Sequence, residues 1–186
     1  MLNIQKNETI YTQGQIPVVG NFEKVSFATF EKSLIDLGLS NGKEEDFAMW
    51  DSIKLPTRAT AGSAGYDFYS SIDIVLRGAI DSVVVPTGIR AKIQIGWVLM
   101  IYPRSGLGFK YRFGFDNVVP VIDSDYYFAG NEGHIMLKCH AGVNQAMKVV
   151  EKGDRFAQGI FLPFGITKDD DATTVRTGGM GSTGMK

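Results

Sequence analysis

Ile89-Arg90-Ala91-Lys92-Ile93-Gln94-Ile95-Gly96-Trp97-Val98-Leu99-Met100-Ile101-Tyr102 decides the fold class. Two short apolar runs, residues 89–93 and 97–102, are separated by Gly96, which reads as strand, turn, strand. The same pattern continues on both sides. Upstream, runs at 53–55, 72–76 and 82–86 are bounded by Gly78 and Gly88. Downstream, 118–123, 134–139, 147–150 and 156–161 are punctuated by Gly142 and Gly153. Many short strands with frequent turn residues predict an all-β body, a sandwich or a closed barrel.

The N-terminal part reads differently. Phe27, Phe30, Leu34, Ile35 and Leu37 recur at intervals of three and four, with Ser26 before them and Gly38 after. That is an amphipathic helix with a start and a stop signal. A second short helix is predicted over 44–50, its acidic residues placed at the positive end of the helix dipole. Three parts are therefore expected: an extension with helical content (1–50), a β body (51–170) and a glycine-rich, mobile arm (171–186).

Composition narrows the function classes. A formal net charge of −1 provides no global field toward nucleic acid or an acidic membrane. The single cysteine, Cys139, closes no disulfide within the chain, in keeping with a reducing compartment. No basic segment leads into an apolar one at the start, and no apolar run is long enough to span a bilayer. A cytoplasmic protein is expected.

Five segments carry chemistry. Ala64-Gly65-Tyr66-Asp67-Phe68 is a glycine turn entering a strand with one carboxylate. Pro103-Arg104-Ser105-Gly106-Leu107-Gly108 ends a strand in an arginine, a hydroxyl and glycines, groups suited to phosphate oxygens; its plain alternative is a strand-to-helix turn. In Asn117-Val118-Val119-Pro120-Val121-Ile122-Asp123-Ser124-Asp125-Tyr126, carboxylates two residues apart would share one face of a strand, where aspartate is disfavoured unless used. Gly153-Asp154-Arg155-Phe156-Ala157-Gln158 is a tight turn into a strand, with Arg155 expected in an ion pair and Gln158 aimed at a site or the core. Arg176-Thr177-Gly178-Gly179-Met180-Gly181-Ser182-Thr183-Gly184 has a phosphate-cradle composition without the lysine and helix of a P-loop.

In their order, these five segments resemble the five motifs of the homotrimeric dUTPase family, over roughly residues 55–186. The resemblance implies a jelly-roll-like distorted β-barrel that forms a homotrimer, hydrolyses dUTP to dUMP and pyrophosphate with Mg2+, limits uracil incorporation into DNA and supplies dUMP for dTMP synthesis. It makes Asp123 the activator of the attacking water and Asp67 a magnesium holder acting through water. Arg104, Ser105, Gly106 and Gln158 would grip the phosphates. Asn117, Val121, Ile122 and Gly133 would line the uracil and sugar pocket, with Tyr126 against the deoxyribose. Arg176, Met180, Gly181, Ser182 and Thr183 would close over the nucleotide from a neighbouring chain.

The chain departs from the family pattern at three places. Pro120 stands where glycine is usual, Tyr127, Phe128 and Ala129 lengthen the approach to Gly130, and Met180 replaces a phenylalanine. Two rival readings accompany the resemblance: a relative of the dCTP deaminases, and a regulator that binds a protein partner through its N-terminal extension. Neither nucleic acid nor membrane is an expected partner, and the compartment is the cytoplasm, or the host cytoplasm for a viral chain. His134 and His140 lack zinc-ligand spacing and read as strand-face or surface residues. Trp50 and Trp97 read as core or subunit-contact residues, and Asp169–Asp171 as a solvated spacer.

Overall fold

The structure, a computed structural model, describes residues 16–78, 81–174 and 178. In chain order the elements are β1 (Gly20–Lys24), α1 (Phe27–Asp36), α2 (Lys43–Asp51), β2 (Thr57–Arg58), β3 (Tyr66–Tyr69), β4 (Ile74–Leu76), β5 (Ser82–Pro86), β6 (Ile89–Ile93) and β7 (Trp97–Pro103). There follow α3 (Ser105–Tyr111), β8 (Gly114–Phe115), β9 (Val121–Ile122), a 3-10 helix (Ser124–Phe128), β10 (Met136–His140), β11 (Met147–Val150) and β12 (Arg155–Pro163).

The strands form antiparallel sheets in the orders β1-β6, β5-β10-β8, β11-β4 and β2-β3-β12-β7-β9. The expected all-β body is what forms. Its core gathers Phe68, Ile74, Leu76, Val85, Leu99, Ile101, Leu137 and Phe156, all fully buried. Apolar side chains alternate inward along these strands; on β6, Ile89, Ala91 and Ile93 are buried while Lys92 is exposed.

Strands β5, β6 and β11 fall where the sequence predicts them. Residues 53–55 form no strand, and the run predicted over 118–123 contracts to β9. The short pairs β2 and β8, two residues each, offer too little pattern to be read. Strand β1 is also unforeseen, because its sequence Gly-Asn-Phe-Glu-Lys contains one large apolar residue. It nevertheless pairs with β6 over five residues, and Phe22 packs in the main core against Tyr66, Phe68 and Phe161.

Helix α1 begins at Ser26, whose hydroxyl accepts the Thr29 amide at 3.2 Å, and is followed by Gly38 with φ 67°. Phe30 and Leu34 are buried as expected, whereas Ile35 is exposed because α1 turns a narrow face inward. With Val25 they form a second small core against Met49, Trp50 and Ile53 of α2 and its exit. Lys24 ties this hairpin down by donating to the carbonyls of Trp50 (3.1 Å) and Asp51 (2.8 Å), a cation at a helix C-terminus.

Candidate active site

Strand pairing brings three of the five segments together. On β12, Gln158 lies opposite Asp67 of β3 on one side and Tyr102 of β7 on the other, and Ala157 lies opposite Pro103. Arg104 follows directly. Asp67 is only 9% exposed, and a carboxylate so withdrawn from water needs partners. It has two: Arg155 Nη1 donates to Oδ2 at 3.0 Å, and Arg104 Nε lies 3.5 Å from Oδ1. Two guanidinium groups around one carboxylate leave a net positive charge, the setting a polyanion requires.

Gly65 belongs to this arrangement sterically. A Cβ there would sit 2.9 Å from Gln158 Oε1, so glycine lets the chain pass beside that amide. Gln158 Nε2 in turn donates to the Pro103 carbonyl at 3.4 Å, on the strand end that leads into Arg104. Ser105 and Gly106 are exposed at the first turn of α3, where backbone amides lack acceptors within the helix. The arginine-bearing strand-to-helix turn is therefore realised, with Arg104 half-buried rather than solvent-facing.

The third segment lies elsewhere. β8 pairs with β10 and β9 with β7, and residues 116–120 bridge them. Asn117, Val118 and Val121 are exposed, and Val118 takes the left-handed φ of 63°. Asn117 lines an open groove of about 410 Å³ with Val84, Asp116, Met136 and Lys138. Asp116 accepts Lys138 Nζ at 2.8 Å and pairs with His140 Nδ1 at 3.0 Å. The Lys138 hydrogen bond, opposed by partial burial and helped by His140, holds the Asp116 carboxyl below the usual range. The sequence reading missed this cluster. Its signal was the spacing of Lys138 and His140, two apart on β10 and so on one face.

Pro120 falls opposite Ile101 and, lacking an N–H, cannot return the bond it accepts, so the β9–β7 ladder starts only after it. It is buried just before β9, and its carbonyl accepts the Ile101 amide at 3.0 Å. One expectation needs correction: Asp123 and Asp125 do not share a strand face. β9 ends at Ile122, Asp123 is the N-cap of the 3-10 helix, and Asp125 lies within that helix. Aspartate is disfavoured in strand interiors, in keeping with the strand ending before Asp123. Asp123 is exposed and Ile122 buried. Tyr126 is 2% exposed, its hydroxyl donating to the His134 carbonyl at 2.8 Å, and Gly133 takes φ 70°.

The position of Asp123 relative to Arg104 follows from register. Ile122 pairs with Leu99 and Val121 with Met100, so Asp123 comes level with Val98 near the N-terminal end of β7, whereas Arg104 follows its C-terminal end. Six residues of strand separate those levels, roughly 20 Å at about 3.3 Å per residue. Within one chain these two groups do not meet. Arg176, Met180, Gly181, Ser182 and Thr183 lie outside the described residues.

Among the described residues no three His, Cys, Asp or Glu side chains cluster as a metal cage. Asp67 alone still suits magnesium, which characteristically takes one or two carboxylates and fills its octahedron with water and substrate phosphates. His140 lies on the surface as expected. His134, by contrast, is fully buried, with Nε2 accepting the Gly88 amide at 2.8 Å and Nδ1 3.0 Å from Ser33 Oγ. Trp50 and Trp97 are half-buried, Trp50 Nε1 donating to the Val25 carbonyl at 2.8 Å, and Asp169–Asp171 are exposed. No helix among the described residues is long and apolar enough to cross a membrane.

Similarity to known proteins places the chain. Residues 51–184 match the family model described as dUTPase. The deoxyuridine 5'-triphosphate nucleotidohydrolase of Lactococcus lactis is 39% identical over 135 residues, covering 71% of this chain and 89% of its own length. That of Shigella sonnei is 39% identical over 139 residues, covering 71% and 88%. The crystal structure of dUTPase from Streptococcus mutans, 38% identical, aligns over 61% of this chain and 88% of its own with a TM-score of 0.56. The dUTPase from phage phi11 of S. aureus, at 18% identity and a TM-score of 0.52, covers 65% and 90% and shares the fold. The chain belongs to the dUTPase family.

Proposed function

We propose that this chain hydrolyses dUTP to dUMP and pyrophosphate, at sites that copies of the chain build together in a trimer. The observation that carries this reading is the Asp67–Arg104–Arg155 cluster at one end of β7, with Asp123 at the other. A single chain offers an anion grip without a water activator beside it. A neighbouring copy supplies Asp123, which makes the oligomer a requirement of the chemistry.

The roles follow from the groups. Arg104 and the amides around Ser105 and Gly106 hold the triphosphate, and Gln158 adds a polar contact. Asn117, Val121, Ile122 and Gly133 frame uracil and sugar, with Tyr126 setting the wall beside the deoxyribose. Asp123 orients a water molecule and takes its proton as the water oxygen bonds to the α-phosphorus. The bond from that phosphorus to the bridging oxygen breaks, and pyrophosphate leaves. General-base assistance of this kind contributes on the order of 10²–10⁴-fold. Magnesium, held by Asp67 through water, neutralises phosphate charge when bound. The C-terminal arm, through Arg176, Met180, Gly181, Ser182 and Thr183, covers the nucleotide and excludes water. The cytoplasm, where free nucleotides are hydrolysed, is the proposed compartment.

Backbone groups shaped for uracil would be left unpaired by cytosine, and such mismatches reject by about 10⁴–10⁵. A dCTP deaminase reading is disfavoured by the family match over 51–184. The test is pyrophosphate release from dUTP, dCTP, dTTP and UTP side by side, with and without magnesium. Fast release from dUTP alone, dependent on magnesium, is expected. Equal release from dCTP, or ammonia release from it, overturns the reading.

A further inference from the structure

Glu132 and Gly133 are consecutive residues in the left-handed region, with φ 58° and 70°. Glycine is required at 133, because a Cβ would lie 2.8 Å from both the Tyr126 carbonyl oxygen and Tyr127 Cα. Glutamate has no such freedom at 132, and a side chain there persists only where its surroundings over-determine it. Those surroundings are the start of α1. The Glu132 carboxylate accepts the Ser26 amide at 2.8 Å, the Ser26 hydroxyl at 2.6 Å and the Thr29 hydroxyl at 2.8 Å.

The other side of Gly133 is held by the same helix. Since His134 Nε2 accepts the Gly88 amide, the ring proton resides on Nδ1 and is donated to Ser33 Oγ. Ser33 in turn donates to the Thr29 carbonyl at 2.9 Å. The His134 carbonyl receives the Tyr126 hydroxyl, and Asn131 Nδ2 donates to that same hydroxyl at 2.9 Å. Tyr126 N then donates to the Asp123 carbonyl at 3.2 Å. Helix α1 (Phe27–Asp36), which lies outside the 51–184 family match, thus grips both neighbours of Gly133 and, through His134, the Asp123–Tyr126 turn.

We propose that α1 is a positioning clamp for the nucleoside pocket, with Glu132 acting through Gly133 and His134 acting through Tyr126. The inference rests on the reading of Gly133 and Tyr126 as nucleoside-facing. Glu132 is a positioning residue: its carboxylate is spent on α1, and what it fixes is the backbone one residue on. Loosening the Glu132 arm frees Gly133 while leaving the Ser33–His134–Tyr126 links to Asp123 and the phosphate grip at Asp67 and Arg104 in place, so the loss falls on nucleoside binding.

The decisive variant is Glu132→Gly, which relieves the left-handed strain while deleting the clamp; the double variant Ser26→Ala/Thr29→Ala removes the two hydroxyl partners from the helix side and leaves only the Ser26 amide. Each is assayed for dUTP turnover and for dUMP binding by calorimetry, with thermal unfolding alongside. KM for dUTP and Kd for dUMP are expected to rise about fivefold or more with kcat within about twofold, the pattern of lost ground-state binding. Glu132→Gln, which keeps an acceptor for the hydroxyls, is expected to recover most of that loss. Should wild type bind dUMP and both variants bind it equally well, the clamp is refuted and the proposed function stands. A wild type that binds no deoxyuridine nucleotide refutes both.

Discussion

Asp123 and Arg104 occupy opposite ends of β7, one level with Val98 and the other directly after Pro103. An activity needing both groups at one phosphate must therefore combine chains. That makes a complementation experiment decisive. Asp123→Asn and Arg104→Ala are each expected to abolish dUTP turnover, by at least about 100-fold for the loss of a general base. Unfolding and refolding the two inactive proteins together should restore activity, because a mixed oligomer pairs the intact Arg104 of one copy with the intact Asp123 of another. With random assembly, about a quarter of two-chain sites regain both groups. A mixture as inactive as its components would show that each site is built from one chain.

Tyr127 belongs to the stretch that departs from the family pattern, yet it is anchored. Its hydroxyl donates to Glu23 at 2.8 Å, and the Arg90 guanidinium lies 4.4 Å above its ring while also bonding Glu23 at 2.8 Å. The Tyr127 hydrogen bond, against partial burial and with help from Arg90, holds the Glu23 carboxyl below the usual range. Tyr127→Phe should cost about 1 kcal/mol, the size of one hydrogen bond to a partly exposed charge. Urea unfolding reads this as a lower midpoint at unchanged slope. An unchanged midpoint would mean the hydroxyl is equally well served by water.

The legible parts of this molecule are those with a strong local pattern. Residues 82–86 and 89–93 alternate or run apolar between turn residues and fold as read, and Ser26 and Gly38 mark α1 correctly. Asp67, Arg104 and Gln158 were legible as chemistry, and antiparallel pairing brings them side by side. What escaped depends on distant partners. β1 is a strand because β6 offers it an edge, and nothing in Gly-Asn-Phe-Glu-Lys signals that. His134 looked like a strand-face residue, but its environment comes from Ser33 and Gly88, 101 and 46 positions away. The separation of Asp123 from Arg104 is likewise a matter of register between β9 and β7.

Gly133→Ala tests the packing of the turn that follows the 3-10 helix. The added methyl carbon meets two backbone atoms at 2.8 Å, neither of which can rotate away, and the residue must also hold φ 70°. A loss of about 2 kcal/mol or more is expected from left-handed strain plus overpacking. Gly153→Ala, also at positive φ (86°) but with nothing within 4 Å, should lose only the conformational part, about 1 kcal/mol. Equal losses at the two positions, measured by thermal unfolding, would remove the steric argument.

His134 gives the protein a stability that depends on pH in a predictable direction. Its ring is buried, which pushes its pKa from the ordinary 6.5 down to about 4, the Glu132 charge opposing this only in part. The unfolded chain takes up a proton near pH 6.5 while the folded chain refuses it until about pH 4. Stability contributed by the neutral ring is thus complete above about pH 6.5 and drains away as pH falls toward 4, up to about 3 kcal/mol in all. Exposed carboxylates titrate mostly below about pH 4.5, so the interval between pH 6.5 and 4.5 separates imidazoles from carboxylates, and a His134 variant that keeps the His140–Asp116 pair singles out the buried ring. Urea unfolding across that interval should show a steady decline for wild type and a flatter profile for His134→Gln. That variant will be less stable at pH 7, so the comparison is of slopes. A wild-type profile that stays level down to pH 4.5 would mean the ring is already protonated or reached by water in the folded chain.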